Sequence, residues 1–204
     1  MTVLSLIHVI DDDEAVRDSL QFLLEEAGYR VRLHGSALAF LDEAPASVAG
    51  GCVISDVRMP GMDGLELQAA LARRGDCLQL IFMTGHGDVP LAVRALKAGA
   101  IDFLEKPFGE EAILAAVESA LSRARQQHDR AGAALLARER LATLTPRERE
   151  VLEALVAGNP NKTIAFDLGL SPRTVEVHRA RVMEKMQARS LSELVRLSLA
   201  ATQG

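Results

Sequence analysis

Ile54-Ser55-Asp56-Val57-Arg58-Met59-Pro60 is the stretch that decides the fold, because a short apolar run there ends on a carboxylate. It is read with Asp11-Asp12-Asp13 near the N-terminus and Glu105-Lys106-Pro107 far downstream. Three acidic positions and a distant lysine are the parts of a Mg²⁺-dependent site that accepts a phosphoryl group. Asp56 is the expected acceptor.

Outward from that stretch, the chain alternates. Leu4 to Ile10 is an apolar run that stops at the three aspartates and reads as a buried parallel strand. Val16, Leu20, Leu23, Leu24 and Ala27 then recur at helical spacing, and Gly28 closes the helix. The same reading places strands at 29–33, 51–55, 78–83 and 101–104. Helices fall at 36–41, 64–73, 88–98 and 110–125, with Pro90 in the first turn of the fourth. Five strand–helix alternations predict an α/β fold, a five-stranded doubly wound parallel sheet of flavodoxin-like type. In such sheets ligands sit at the carboxyl ends of the strands. Asp11, Asp12, Asp56, Thr84 and Lys106 are all expected just after strand ends.

Phosphoryl transfer to a carboxylate needs a divalent cation, an in-line acceptor oxygen and positive charge on the far side. Mg²⁺, or Mn²⁺, takes hard oxygens and keeps several waters. Asp12 and Asp56 each supply one carboxylate oxygen, Asp11 holds a metal-bound water, and the carbonyl of Arg58 completes the protein share. Lys106 supplies the compact charge and Thr84 a hydroxyl donor.

Composition bounds the rest. The chain has 204 residues, 49% of them hydrophobic but only 3% aromatic, so the cores must be aliphatic. Residues 1–125 carry 11 Lys and Arg against 19 Asp and Glu; residues 126–204 carry 12 against 9. An acidic front and a mildly basic back suit a cation-binding module joined to a polyanion-binding one, although two ordinary solvated surfaces would look the same. Cys52 and Cys77 share no metal-ligand spacing and fit a reducing cytoplasm. No apolar run approaches the ~20 residues of a membrane helix, so a cytoplasmic protein without membrane contact is expected.

The back half is helical. Residues 126–141, rich in Ala, Arg, Gln and Glu, read as a helical linker. Thr145-Pro146-Arg147-Glu148 is a capping box opening a helix to Ala157. Further helices are expected at 162–168, 172–186 and to about 201, the last two opened by Ser171-Pro172 and by Ser190-Leu191-Ser192-Glu193. Two of them joined by a tight Gly-containing turn make a helix-turn-helix within a small all-α four-helix domain. On a wheel of 172–186, Val175, Val182 and Met186 form the core face with His178 beside them. Arg173, Val177, Ala180, Arg181 and Glu184 point away, with Glu176 on the flank. Such a face suits a major groove, and Lys162, Thr174, Arg179 and Lys185 would flank it on phosphates. The last helix, through Leu194, Val195, Leu197 and Ser198, is the candidate for pairing two such domains.

Residues 4–125 resemble a two-component receiver domain, on Asp11-Asp12, Asp56, Met59-Pro60-Gly61-Met62-Asp63-Gly64, Thr84-Gly85 and Lys106-Pro107. The resemblance implies that a sensor histidine kinase phosphorylates Asp56 and that the Lys106–Pro107 bond is cis. It implies that Phe103 is a switch aromatic turning inward as Thr84 moves toward the phosphoryl group. It also implies that Arg58 and His86 border the attacking water. Residues 142–201 resemble a LuxR/NarL-type DNA-binding domain on Leu144-Thr145-Pro146-Arg147-Glu148, Asn161-Lys162-Thr163-Ile164-Ala165 and Ser171 to His178. The domains are then 1–125 receiver, 126–141 linker and 142–204 DNA-binding.

Together the halves resemble a FixJ-type response regulator, which is not an enzyme. That resemblance implies phosphorylation-driven homodimerisation, sequence-specific binding to double-stranded promoter DNA and activation through RNA polymerase. It also implies an oxygen-sensing, haem-containing kinase and nitrogen-fixation or microaerobic target genes. The same architecture answering another kinase and stimulus, or a phosphorylation-independent LuxR-type DNA binder, stays open. A haloacid-dehalogenase-type phosphohydrolase needs a second acid two residues after the nucleophile, where this chain has Arg58. A small-molecule-sensing regulator needs an aromatic-lined pocket, which one Tyr and no Trp argue against.

Overall fold

The structure is a computed structural model that describes residues 6–43, 51–76, 78–85 and 89–202. Leu4, Ser5, Cys77, His86 and Asp88, used above, lie outside them. Two compact units divide at His128 and Asp129.

In the first unit, strands and helices alternate as β1 (Leu6–Ile10), α1 (Glu14–Glu26), β2 (Arg30–His34), α2 (Ala37–Glu43), β3 (Cys52–Asp56), α3 (Gly64–Arg74), β4 (Gln79–Thr84), α4 (Val89–Lys97) and β5 (Asp102–Glu105), followed by α5 (Glu110–Ala142). All strand pairs are parallel, and the sheet order is β2-β1-β3-β4-β5. The expected doubly wound sheet is therefore present. The order reverses between β1 and β3, so their carboxyl ends flank the switch-point crevice.

Each central strand is apolar on both sides because helices cover both faces. Ile7, Val9, Ile54, Ile81 and Met83 pack with Leu20 and Leu24 of α1 and Ile113, Val117 and Leu121 of α5. Ile10, Val53, Leu80 and Phe82 pack with Phe40 of α2, Leu67 and Leu71 of α3 and Ala95 of α4. Cys52 is fully buried, and burial pushes its thiol up to about 12.

Two boundaries differ from expectation. Asp56 and Thr84 are the last residues of their strands, still in the ladder opposite Met83 and Glu105. The fifth helix does not stop at Arg125; it runs to Ala142 in one piece. Its sequence is rich in Ala, Leu, Glu, Arg and Gln, with no Pro and a single Gly, so nothing in it ends a helix. Gln79 at the start of β4 donates from Nε2 to Gln127 Oε1 at 2.7 Å, which fastens the helix to the first unit past Arg125.

The second unit holds the end of α5 with α6 (Pro146–Val156), α7 (Asn161–Asp167), α8 (Pro172–Lys185) and α9 (Leu191–Thr202). Thr145 caps α6 through the expected reciprocal box with Glu148, and Ser171 caps α8. Val151, Leu152, Leu155, Ile164, Val175, Val182, Met186 and Leu194 form its aliphatic core. Leu194, expected above on a pairing surface, is fully buried there. The exposed side of α9 carries Leu191 and Leu199 instead, 40% and 46% exposed.

Candidate functional site

The crevice at the sheet's carboxyl edge is built from four strand ends. Asp11 follows β1 and is 1% exposed; Asp56 ends β3 and is 8% exposed. Lys106, just past β5, donates from Nζ to Asp11 Oδ2 and to Asp56 Oδ1, each at 2.7 Å. The second Asp56 oxygen, Oδ2, accepts the Arg58 backbone N–H at 2.7 Å. Asp11 Oδ1 accepts the Asp13 N–H, and the Asp11 carbonyl accepts Arg17 Nη1. Asp13 itself caps α1. The Lys106–Pro107 peptide is cis, and the Lys106 N–H donates to the Thr84 carbonyl at 2.7 Å. Thr84 is buried beside it.

Burial works against the charge on Lys106. The hydrogen bonds and charges of Asp11 and Asp56 outweigh it and hold the ammonium above its ordinary range. The lysine is thus a fixed cation between two carboxylates.

Asp12 does not join this pair. It is exposed, and among the described residues no three acidic, His or Cys side chains form a metal-holding group. The donor chemistry still suits Mg²⁺, which is commonly held through one or two carboxylates plus water and phosphate oxygens. Asp11 and Asp56 bring two carboxylates to one lysine, and Asp12 and the Arg58 carbonyl lie in the flanking loops. Phe103 lies opposite Phe82 in the β4–β5 ladder, half-buried against the α2–α4 side of the core. His86 lies outside the described residues.

Sequence reasoning missed the reason for Gly64. A Cβ there would lie 2.7 Å from the Asp56 carbonyl oxygen and 2.8 Å from the Phe82 ring. The Gly64 N–H also donates to Val57 O. The glycine lets α3 start directly against the Asp56 backbone.

In the second unit, α8 presents the two faces expected of it. Val175, Val182 and Met186 are fully buried, while Arg173, Glu176, Val177, Ala180, Arg181 and Glu184 are exposed. Arg173, Glu176, Val177 and Ala180 line one shallow open depression. Lys162 is exposed on α7. Arg179 is half-buried and reaches Asn161 Oδ1 at 3.4 Å, and the Thr174 hydroxyl bonds Ser171 Oγ at 2.7 Å. His178 is half-buried on the core side of that helix.

Lys185, expected to flank the groove on a phosphate, turns onto α6 in this structure, with Nζ 2.6 Å from Glu148 Oε2 and 3.2 Å from the Thr143 carbonyl. Glu148 is 2% exposed, and an unpaired carboxylate there would be costly, so the nearest cation closes on it. The Lys185 hydrogen bond, then that of the Thr145 N–H, brings Glu148 down to about 2. A helical wheel puts Lys185 on the flank but contains no α6.

Comparison with known proteins extends both halves. Residues 7–118 match the response regulator receiver domain, and residues 142–198 match the bacterial regulatory proteins of the luxR family. Transcriptional regulatory protein FixJ of Azorhizobium caulinodans is 58% identical, over 96% of this chain and 92% of its own length. The FixJ protein of Bradyrhizobium diazoefficiens is 53% identical over 98% of both chains. Among solved structures, the response regulator StyR superposes with a TM-score of 0.80 at 41% identity, covering 97% of this chain and 99% of that one.

Proposed function

Because the chain belongs to the FixJ-like response regulators, transcriptional regulators that join a receiver domain to a LuxR-family DNA-binding domain, we propose that Asp56 is its phosphoacceptor. In this reading an Asp56 carboxylate oxygen attacks the phosphorus of a phosphohistidine on a sensor kinase. A P–O bond forms as the P–N bond breaks, and the imidazole leaves. The observation that carries it is Lys106 Nζ held 2.7 Å from both Asp11 and Asp56 at the sheet's switch point. As the phosphoryl group arrives, Lys106 exchanges one carboxylate for a phosphoryl oxygen, and the Thr84 hydroxyl donates to another. Mg²⁺, or Mn²⁺, held by Asp11, Asp12, Asp56 and the Arg58 carbonyl, would neutralise charge on the phosphoryl oxygens. Thr84 and Phe103 then bias an existing equilibrium toward a state that pairs two receivers.

The paired protein binds promoter DNA through Arg173, Glu176, Val177, Ala180 and Arg181 in the major groove, with Lys162, Thr174 and Arg179 toward the phosphates. It recruits RNA polymerase to activate transcription. The FixJ resemblance supports an oxygen-sensing, haem-containing kinase as partner and nitrogen-fixation or microaerobic genes as targets. It also supports domain limits of 1–125 for the receiver and 142–204 for the DNA-binding part. The α5 connection between them is helical rather than loose.

The test is acyl-phosphate formation with Mg²⁺ and a small phosphodonor, wild type against Asp56→Asn. Wild type should form a hydroxylamine-labile phosphoprotein, and the Asn variant, equally folded, should form none. Label retained in Asp56→Asn would move the acceptor elsewhere.

A further inference from the structure

We infer that Glu148, Lys185 and Arg140 form a clamp on the C-terminal end of α8 that sets its rotation and axial position, and so its sequence discrimination. This rests on the reading of α8 as the helix that enters the groove. The core face of α8 is aliphatic, and aliphatic packing resists separation more than rotation or sliding because it is non-directional. Direction comes from the far end. Lys185 bonds Glu148 Oε2 at 2.6 Å and Thr143 O at 3.2 Å. Arg140, in the last turn of α5, donates from Nη1 to the Met186 carbonyl at 3.2 Å and from Nη2 to Gln187 Oε1 at 2.5 Å.

Met186 O is one of the carbonyls a helix end leaves without an internal partner. Two cations at that end also suit the negative pole of the helix. Gln187 leaves the helix in the left-handed region at φ 52° without being glycine, so the exit is held by its partners rather than by backbone preference. Glu148 is anchored in turn, since its Oε2 accepts the Thr145 N–H at 2.9 Å within the α6 capping box. The clamp therefore references α8 to the first turn of α6 and the last turn of α5.

The exposed Arg173–Arg181 face is separate from all of these groups. A rotation of roughly 15° about the helix axis carries a side-chain tip about 6 Å out through roughly 1.5 Å. That displacement is enough to break a bidentate base contact. It would hardly alter contacts to phosphates, which tolerate a point charge at several positions. Glu148, Lys185 and Arg140 are thus positioning residues, acting on bases through Arg173 and Arg181.

The experiment uses the full-length phosphorylated chain. A duplex enriched from a random pool by wild type is compared with a scrambled duplex of the same composition, over a salt series. Lys185→Met leaves a buried unpaired carboxylate and risks unfolding, so the deciding variant is the double Glu148→Gln/Lys185→Met, which removes both charges. Lys162→Ala serves as the phosphate-contact reference. The double variant should keep wild-type affinity for scrambled DNA within about twofold while its preference for the selected duplex falls about tenfold or more. Arg140→Gln should shift the preference in the same direction.

A folded double variant with wild-type preference would overturn the clamp. So would an equal loss on both duplexes with a salt slope lowered by about one unit, as expected for Lys162→Ala, because it would return Lys185 to a phosphate. If wild type enriches no sequence at all, the DNA-reading assignment of α8 fails instead, and the clamp falls with it.

Discussion

Gly64 shows how much of the pocket depends on an atom that is missing. With a Cβ there, the start of α3 would press on the Asp56 carbonyl oxygen at 2.7 Å and on the Phe82 ring at 2.8 Å. The first neighbour is backbone and the second is fully buried, so neither yields cheaply. Gly64→Ala should cost about 1–3 kcal/mol of receiver stability, the usual penalty for overpacking. It should also slow acyl-phosphate formation by displacing Asp56 from Lys106. Thermal melting and phosphorylation kinetics on the same sample check both, and an unchanged melting temperature would refute the close approach. The residue itself was legible in the sequence as part of Met59 to Gly64. Its reason was not, because contact with Phe82 joins positions that no local pattern relates.

Three elements meet at a buried histidine pair that the sequence did not advertise. His8 of β1 and His34 of β2 lie diagonally across adjacent strands, two register positions apart, with Nδ1 and Nε2 3.0 Å apart, and both rings rest edge-on against Phe40 of α2. They are 1% and 3% exposed. Burial, then the charge of His34 and that of Arg32, brings His8 down to about 4; burial also lowers His34, against the pull of Glu43. Both histidines are held neutral at neutral pH, whereas the unfolded chain binds protons at about 6.5. The contribution of His8 to stability is therefore complete above about pH 6.5 and is lost as pH falls toward about 4, and that of His34 is lost in the same direction. A melting series across that range should show a steeper decline for wild type than for His8→Gln. Identical slopes would mean that the pair does not titrate between the two states. In the sequence, His8 sits in an apolar run and His34 at a strand end, and only the packing of β1 beside β2 brings their side chains together.

For the whole molecule, the proposed activation requires a surface on which two chains meet. Val89, Val93 and Leu96 stand 69%, 44% and 46% exposed on α4, spaced so that they form one stripe, while Ala95 faces the core. Arg94 and Lys97 on α4 and Asp102 and Glu105 on β5 offer opposite charges suited to a symmetric pair. In the proposed activation this surface pairs two phosphorylated receivers. Val93→Asp should leave phosphorylation intact and hold the phosphorylated chain monomeric by analytical ultracentrifugation at micromolar concentration. A dimer that persists in that variant would place the interface elsewhere. Leu191, Val195 and Leu199 of α9 recur every fourth residue and can pair the DNA-binding halves, which would call for an inverted-repeat site. The sequence by itself determined the alternating fold, the four-helix end and the candidate residues of the crevice, because these rest on apolar periodicity and on short motifs that local steric and capping rules impose. Only the tertiary structure decided that Lys106 bridges Asp11 and Asp56 while Asp12 is left exposed, that Lys185 pairs with Glu148, and that Leu194 is core. Each of those depends on which distant group reaches a side chain first, and burial makes that choice only once the chain has packed.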